Sequence, residues 1–113
     1  MKESRLGEFE EVMLLLVGIL GEEAYAFNIE EEYTNQTKRS SSIGAVHSTL
    51  NRLEKKGFLV SEMGSPSPRR GGRRKRIYAV TALGDRVLND TRSLRLALWN
   101  QYPGFSRNRL GYG

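Results

Sequence analysis

The 113-residue sequence predicts a mostly α-helical fold carrying a single two-stranded β-hairpin. Three observations carry that expectation. Helical patterning recurs in four stretches, three before the hairpin and one of about 20 residues after it. Two short apolar-rich runs, Phe58–Met63 and Lys75–Val80, flank a loop rich in Gly, Pro, Ser and Arg. With 38% hydrophobic residues and no cysteine, the chain can build one modest core without disulfides or thiolate metal sites.

The first helix is expected over Gly7–Leu20, with Glu8, Glu10 and Glu11 in the opening turn, where negative charge suits the helix dipole. From Val12 to Leu20 it is apolar nearly all round, so it needs cover on several sides. Gly21 stops it. The second helix, about Tyr25–Gln36, sets Tyr25, Ile29 and Tyr33 on one stripe and turns Glu30, Glu31 and Glu32 mostly to solvent. A polar turn, Thr37–Ser42, follows.

The third helix places Ile43, Val46, Leu50 and Leu53 at i, i+3, i+7 and i+10, with Ser41 or Ser42 as N-cap and Gly57 as terminator. Its opposite face is small and polar: Gly44, Ala45, His47, Ser48, Asn51 and Arg52. A helix with so little bulk on one side can enter a DNA major groove. Taken alone, the same pattern also describes a merely solvated face. After the hairpin, Thr81 caps a last helix that runs to about Gln101, ahead of Pro103. Val87, Thr91, Leu94 and Leu98 form a seam close to a short heptad pattern, with Trp99 beside it. Such a helix spans roughly 30 Å, more than so small a domain needs for itself, which points to a partner subunit. The expected division is a DNA-binding unit over 1–80, a dimerisation helix over 81–102 and a mobile tail over 103–113.

Charge narrows the function. The formal net charge is +5, yet residues 1–37 hold two basic residues against nine Glu and residues 38–113 hold sixteen against four acids. That split suggests a face made for a polyanion. Six of the eighteen basic residues fall within eight positions: Arg69, Arg70, Arg73, Arg74, Lys75 and Arg76, around Gly71-Gly72. Arg forks match phosphate oxygens, and glycines let the backbone come close. A basic hairpin behind a groove-shaped helix makes a helix-turn-helix followed by a wing.

Other classes fare poorly. The one histidine, His47, neighbours Ser48 but points away from it on a helix, so no nucleophile–base pair forms. No HExxH, P-loop or GxGxxG occurs, so neither an enzyme nor a cofactor is expected. No aromatic platform interleaves the basic residues, which disfavours RNA. The first eleven residues are polar and acid-rich, and the longest apolar run, Val12–Leu20, is nine residues, too short for a bilayer. A cytoplasmic protein without membrane association is expected. Trp99 and Tyr102 are candidates for a pocket that stacks a small aromatic effector; plain packing of Trp99 on the first helix or on a partner competes with that reading.

The chain resembles the PadR family of transcriptional regulators over roughly Leu6–Leu88. The resemblance rests on Leu6-Gly7-Glu8-Phe9 entering the first helix, Ala24-Tyr25 opening the second, and Leu50-Asn51-Arg52-Leu53-Glu54-Lys55-Lys56-Gly57 closing the third. It continues through Gly71–Arg76 and from Tyr78 through Thr81 to Gly84, with Val80 where the family has Leu. It implies a winged helix-turn-helix plus C-terminal dimerisation helix, with Ser42–Asn51 as recognition helix, and a homodimeric repressor on a pseudo-palindromic operator. The single C-terminal helix looks like the family's compact branch, and relatives are often released from DNA by small molecules. His47 stands where the family usually has Tyr, and Ile43 where Pro is common. The alternative from the charge pattern is a winged-helix module that binds an acidic protein partner.

Overall fold

The computed structural model describes residues 5–65 and 74–105. Four helices and one antiparallel hairpin follow in order: α1 (Glu8–Leu20), a 3-10 turn (Gly21–Glu23), α2 (Ala26–Thr37), α3 (Ile43–Lys55), β1 (Leu59–Met63), β2 (Arg76–Val80) and α4 (Ala82–Gln101). The mostly helical winged fold read from the sequence is the observed one. Expected boundaries agree with these to within one or two residues, because each rests on a cap or a breaker rather than on propensity alone.

α1, α2 and α3 pack around Met13, Leu14, Val17, Ile29, Val46, Leu50 and Leu53, which are shut off from solvent together with Leu59 of β1. Phe9 meets Tyr33 edge-on at 5.2 Å between ring centroids, which joins the start of α1 to the end of α2. Tyr25 does not extend the α2 stripe as expected: it is the extended N-cap residue, and Ile29 and Tyr33 alone are buried. The chain leaves α1 through Gly21 at φ 58°, a left-handed conformation open to glycine, and the 3-10 turn follows. The sequence reading ended α1 correctly and missed that turn. The residue that caps it matters, since the Ala24 carbonyl accepts from the Tyr78 N–H at 2.9 Å and pins β2 to the helical layer.

The hairpin pairs Leu59 with Val80 and Met63 with Arg76. At its exit the Thr81 hydroxyl accepts from the Gly84 N–H at 3.0 Å and donates to the Gly57 carbonyl at 2.6 Å, while the Thr81 N–H donates to the Phe58 carbonyl. One residue thus caps α4 and ties it to the turn that ends α3. Gly84 is required by this approach, because a Cβ there would lie 2.3 Å from the Phe58 carbonyl oxygen.

α1 is covered on several sides, by α2, α3, β2 and α4, with Leu15 and Ile19 left facing solvent. Two expectations need correction. Ile43 leaves the apolar stripe of α3 and stays 42% exposed, because it stands at the very start of the helix, a turn ahead of the buried stretch that begins at Val46. Val87, expected in an intersubunit seam, is 3% exposed and belongs to the core of its own chain, so it is unavailable to a partner. Beyond it, every α4 residue from Arg92 to Gln101 is exposed, and the helix runs past the domain that anchors it. Residues 106–113 of the expected tail lie outside the described residues.

Candidate nucleic-acid interface

α3 begins where the Ser42 hydroxyl accepts from the Ala45 N–H at 3.0 Å, which makes Ser42 the N-cap while it stays exposed with its own O–H available as a donor. Gly44, Ala45, His47, Ser48, Asn51 and Arg52 form one exposed face. It is the face opposite buried Val46, Leu50 and Leu53, as the spacing required. The sequence-selected residues of α3 therefore lie together on a bare, polar, low-relief surface.

Between this helix and the base of the hairpin runs a groove of about 570 Å³. His47, Asn51 and Glu54 form its helical side and Arg74, Lys75 and Arg76 its hairpin side; Tyr25, Phe27 and Ile43 close one end. Three of the expected wing residues are thus in place. Arg69, Arg70 and Arg73 lie outside the described residues. The Lys75 ammonium sits 5.7 Å from the Tyr25 ring centroid, a cation–π contact that steadies the hairpin base against the start of α2. Arg74 Nε donates to the Gly64 carbonyl at 3.1 Å across the hairpin.

A hydrogen-bonded strut also spans the groove. The Ser61 hydroxyl bonds both oxygens of Glu54, at 3.1 and 2.9 Å, and accepts from Arg76 Nη1 at 3.1 Å. Behind it, burial pushes the Tyr78 phenol up, and the Glu54 charge adds to that. Glu54 was passed over in the sequence because a lone acid in a basic half reads as surface.

The second network was equally hidden. Glu10 of α1 is buried, and its Oε2 takes Arg52 Nε and Lys56 Nζ at 3.0 Å each, while its Oε1 takes the Gly7 N–H at 2.9 Å. Burial pushes the Glu10 carboxyl up, but the hydrogen bonds from Gly7, Arg52 and Lys56 outweigh it and hold the group below the usual carboxylate range. Arg52, expected to face a phosphate backbone, is therefore already held by a carboxylate and by Thr49 Oγ1 at 3.3 Å. The sequence signal was Glu10 in the first turn, which the helix dipole alone explained.

On α4, Leu94, Leu98 and Trp99 are exposed, and Thr91 is half-buried with its hydroxyl donating to the Val87 carbonyl. Trp99 and Tyr102 meet edge-on at 5.8 Å and, with Arg95 and Leu98, line a shallow surface hollow of about 470 Å³. Among the described residues no group of His, Cys, Asp and Glu could hold a metal ion, and no helix is long and apolar enough to cross a membrane.

Comparison with known proteins gives a consistent picture. The sequence profile of the transcriptional regulator PadR-like family matches residues 15–90. An uncharacterized protein of Lysinibacillus sphaericus is 33% identical over 86 residues, 74% of each chain. Among solved structures, a PadR-like transcription factor from Bacteroides fragilis superposes with a TM-score of 0.69 at 22% identity, covering 82% of this chain and 84% of that one. A PadR-like transcriptional regulator from Bacillus cereus gives 0.67 at 18% identity, covering 86% and 93%. Bacillus subtilis PadR in complex with operator DNA gives 0.59 at 17% identity, covering 76% of this chain and 47% of that one.

Proposed function

Since the chain belongs to the transcriptional regulator PadR-like family, a family of regulators rather than enzymes, we propose that it binds double-stranded DNA as a homodimeric repressor of a pseudo-palindromic operator. The observation that carries the reading is the groove between α3 and the hairpin base: a bare helix face on one side, Arg74, Lys75 and Arg76 on the other. In this reading α3 enters the major groove, where Gly44, Ala45, His47, Ser48 and Asn51 face base edges. Asn51 suits a bidentate bond to adenine. The wing, Arg69, Arg70 and Arg73 included, follows the phosphates into the minor groove. The described Bacillus subtilis relative binds operator DNA, which favours DNA over an acidic protein partner for the same charge pattern.

The dimer is supported by unclaimed apolar surface. Leu94 and Leu98 on the projecting half of α4 and Leu15 and Ile19 on α1 are all exposed in the protomer. Residues 81–102 then act as the dimerisation helix attached to a DNA-binding unit over 1–80, and two heads a helical turn apart would read successive major grooves. The hollow at Trp99 and Tyr102 supports a small aromatic effector bound beside that interface, with the Arg95 guanidinium at its edge. The test is equilibrium binding to random-sequence duplex at several salt concentrations, with an acidic polypeptide as competitor. The reading expects salt-steep duplex binding that the polypeptide does not displace. Tight, duplex-resistant binding of the polypeptide would overturn it in favour of an acidic protein partner.

A further inference from the structure

The groove has an apolar end that phosphate binding does not use. Ile43 is the first residue of α3 and 42% exposed, and Phe27, in the first turn of α2, is 60% exposed; both line the groove with His47. The rest of the α3 stripe, Val46, Leu50 and Leu53, is fully buried, so Ile43 is an apolar side chain turned out of the core. Large apolar side chains exposed beside a cationic wall suit a partner that is anionic overall and apolar at one point. Duplex DNA offers one apolar group on its major-groove edge, the thymine 5-methyl. It lies where the N-terminal residues of a recognition helix contact bases. We propose that Ile43, with Phe27 behind it, reads the 5-methyl group of one thymine in each half-site. This rests on the DNA-binding reading above and deepens it into a specificity-determining residue.

The contact differs chemically from what the rest of the helix offers. Asn51 and Ser48 would read donors and acceptors, which uracil and thymine share; only an apolar contact separates the two bases. Covering one methyl corresponds to roughly a threefold to fivefold change in affinity. Ile43 can be changed without emptying the core, and its neighbour Ser42 keeps the helix capped whatever stands at 43.

The experiment first enriches a duplex from a random pool with the wild-type protein, then replaces each thymine in turn by deoxyuridine and measures affinity for wild type, Ile43→Ala and Ile43→Val. One thymine per half-site is expected to cost the wild type roughly threefold to fivefold on replacement. Ile43→Ala should bind the thymine and uracil duplexes alike, and Ile43→Val should keep part of the difference. A flat replacement scan on a duplex that the wild type binds specifically would overturn the proposal and leave DNA binding intact. So would a methyl effect that survives in Ile43→Ala. Failure to enrich any duplex would overturn both readings together.

Discussion

Replacing Glu10 by Gln tests how the recognition helix is held. The wild-type carboxylate takes two charged donors at 3.0 Å and the Gly7 N–H at 2.9 Å. Gln keeps one carbonyl acceptor and loses the charge. Hydrogen bonds to charged groups contribute about 1.5–3 kcal/mol each, which for two would reach roughly 3–6 kcal/mol. The Arg52 and Lys56 side chains, however, are 51% and 36% exposed, so both recover water readily and the loss falls to about 1–3 kcal/mol. Urea unfolding at pH 7 should show a lower midpoint with an unchanged slope. The pH dependence carries the sharper sign. The folded-state pKa of Glu10 is depressed below its ordinary value of 4.5, so its stabilisation is fully present above that value and lost as pH falls through the folded pKa. Wild type and Glu10→Gln should therefore differ at neutral pH and converge in acid. A gap that stays constant from pH 7 down to acid unfolding would refute the ionic account and leave only packing.

The remaining predictions concern the junction, the wing and the seam. Gly84→Ala should destabilise by about 1–3 kcal/mol through backbone overpacking, despite alanine's better helix propensity, because its Cβ meets a carbonyl oxygen at 2.3 Å; a raised unfolding midpoint would refute the close approach. Neutralising Arg73 and Arg74 should weaken binding to all duplexes and reduce the salt slope by about one to two; unchanged binding to random duplex at low salt would remove the wing from the interface. Leu94→Asp should leave protomer stability intact, since Leu94 is 61% exposed, and yield monomers with poor affinity for duplex; a stable dimer in analytical ultracentrifugation would sink the α4 seam.

Periodicity and caps made the elements legible. Ser42, Thr81, Gly21 and Gly57 each mark a helix boundary that the structure keeps. What periodicity cannot supply is which neighbour covers a given stripe. Ile43 and Val87 show the two directions of that failure: each lies on an apolar stripe, yet one emerges into the groove and the other sinks into the core. The exposed α3 face was readable because nothing large stands on it. The Glu10 and Glu54 networks were not, because they join residues 42 to 46 positions apart in one case and a helix to a strand in the other, and no local pattern records such a meeting.

Those networks change what the charge split means. The acidic first segment is not simply a face turned away from DNA. In α1, Glu8 reaches Arg39 at 3.8 Å, Glu10 holds Arg52 and Lys56, and Glu11 holds Arg95 at 2.9 Å. Acids of one helix thus anchor the turn before α3, the end of α3 and the projecting half of α4. Arg52 and Lys56 share the Glu10 carboxylate, so part of their charge is already offset, and a phosphate approaching either must compete with Glu10 and is neutralised less fully. At the hairpin base, Arg74 is held by a carbonyl and Lys75 by a ring face, neutral partners that leave their positive charge uncompensated, while Arg76 meets the Glu54 carboxylate only through the Ser61 hydroxyl. The electrostatic part of DNA binding should therefore come from the wing. The recognition helix, with Arg52 and the capping Lys56 drawn back to Glu10, is left mainly to discriminate between bases.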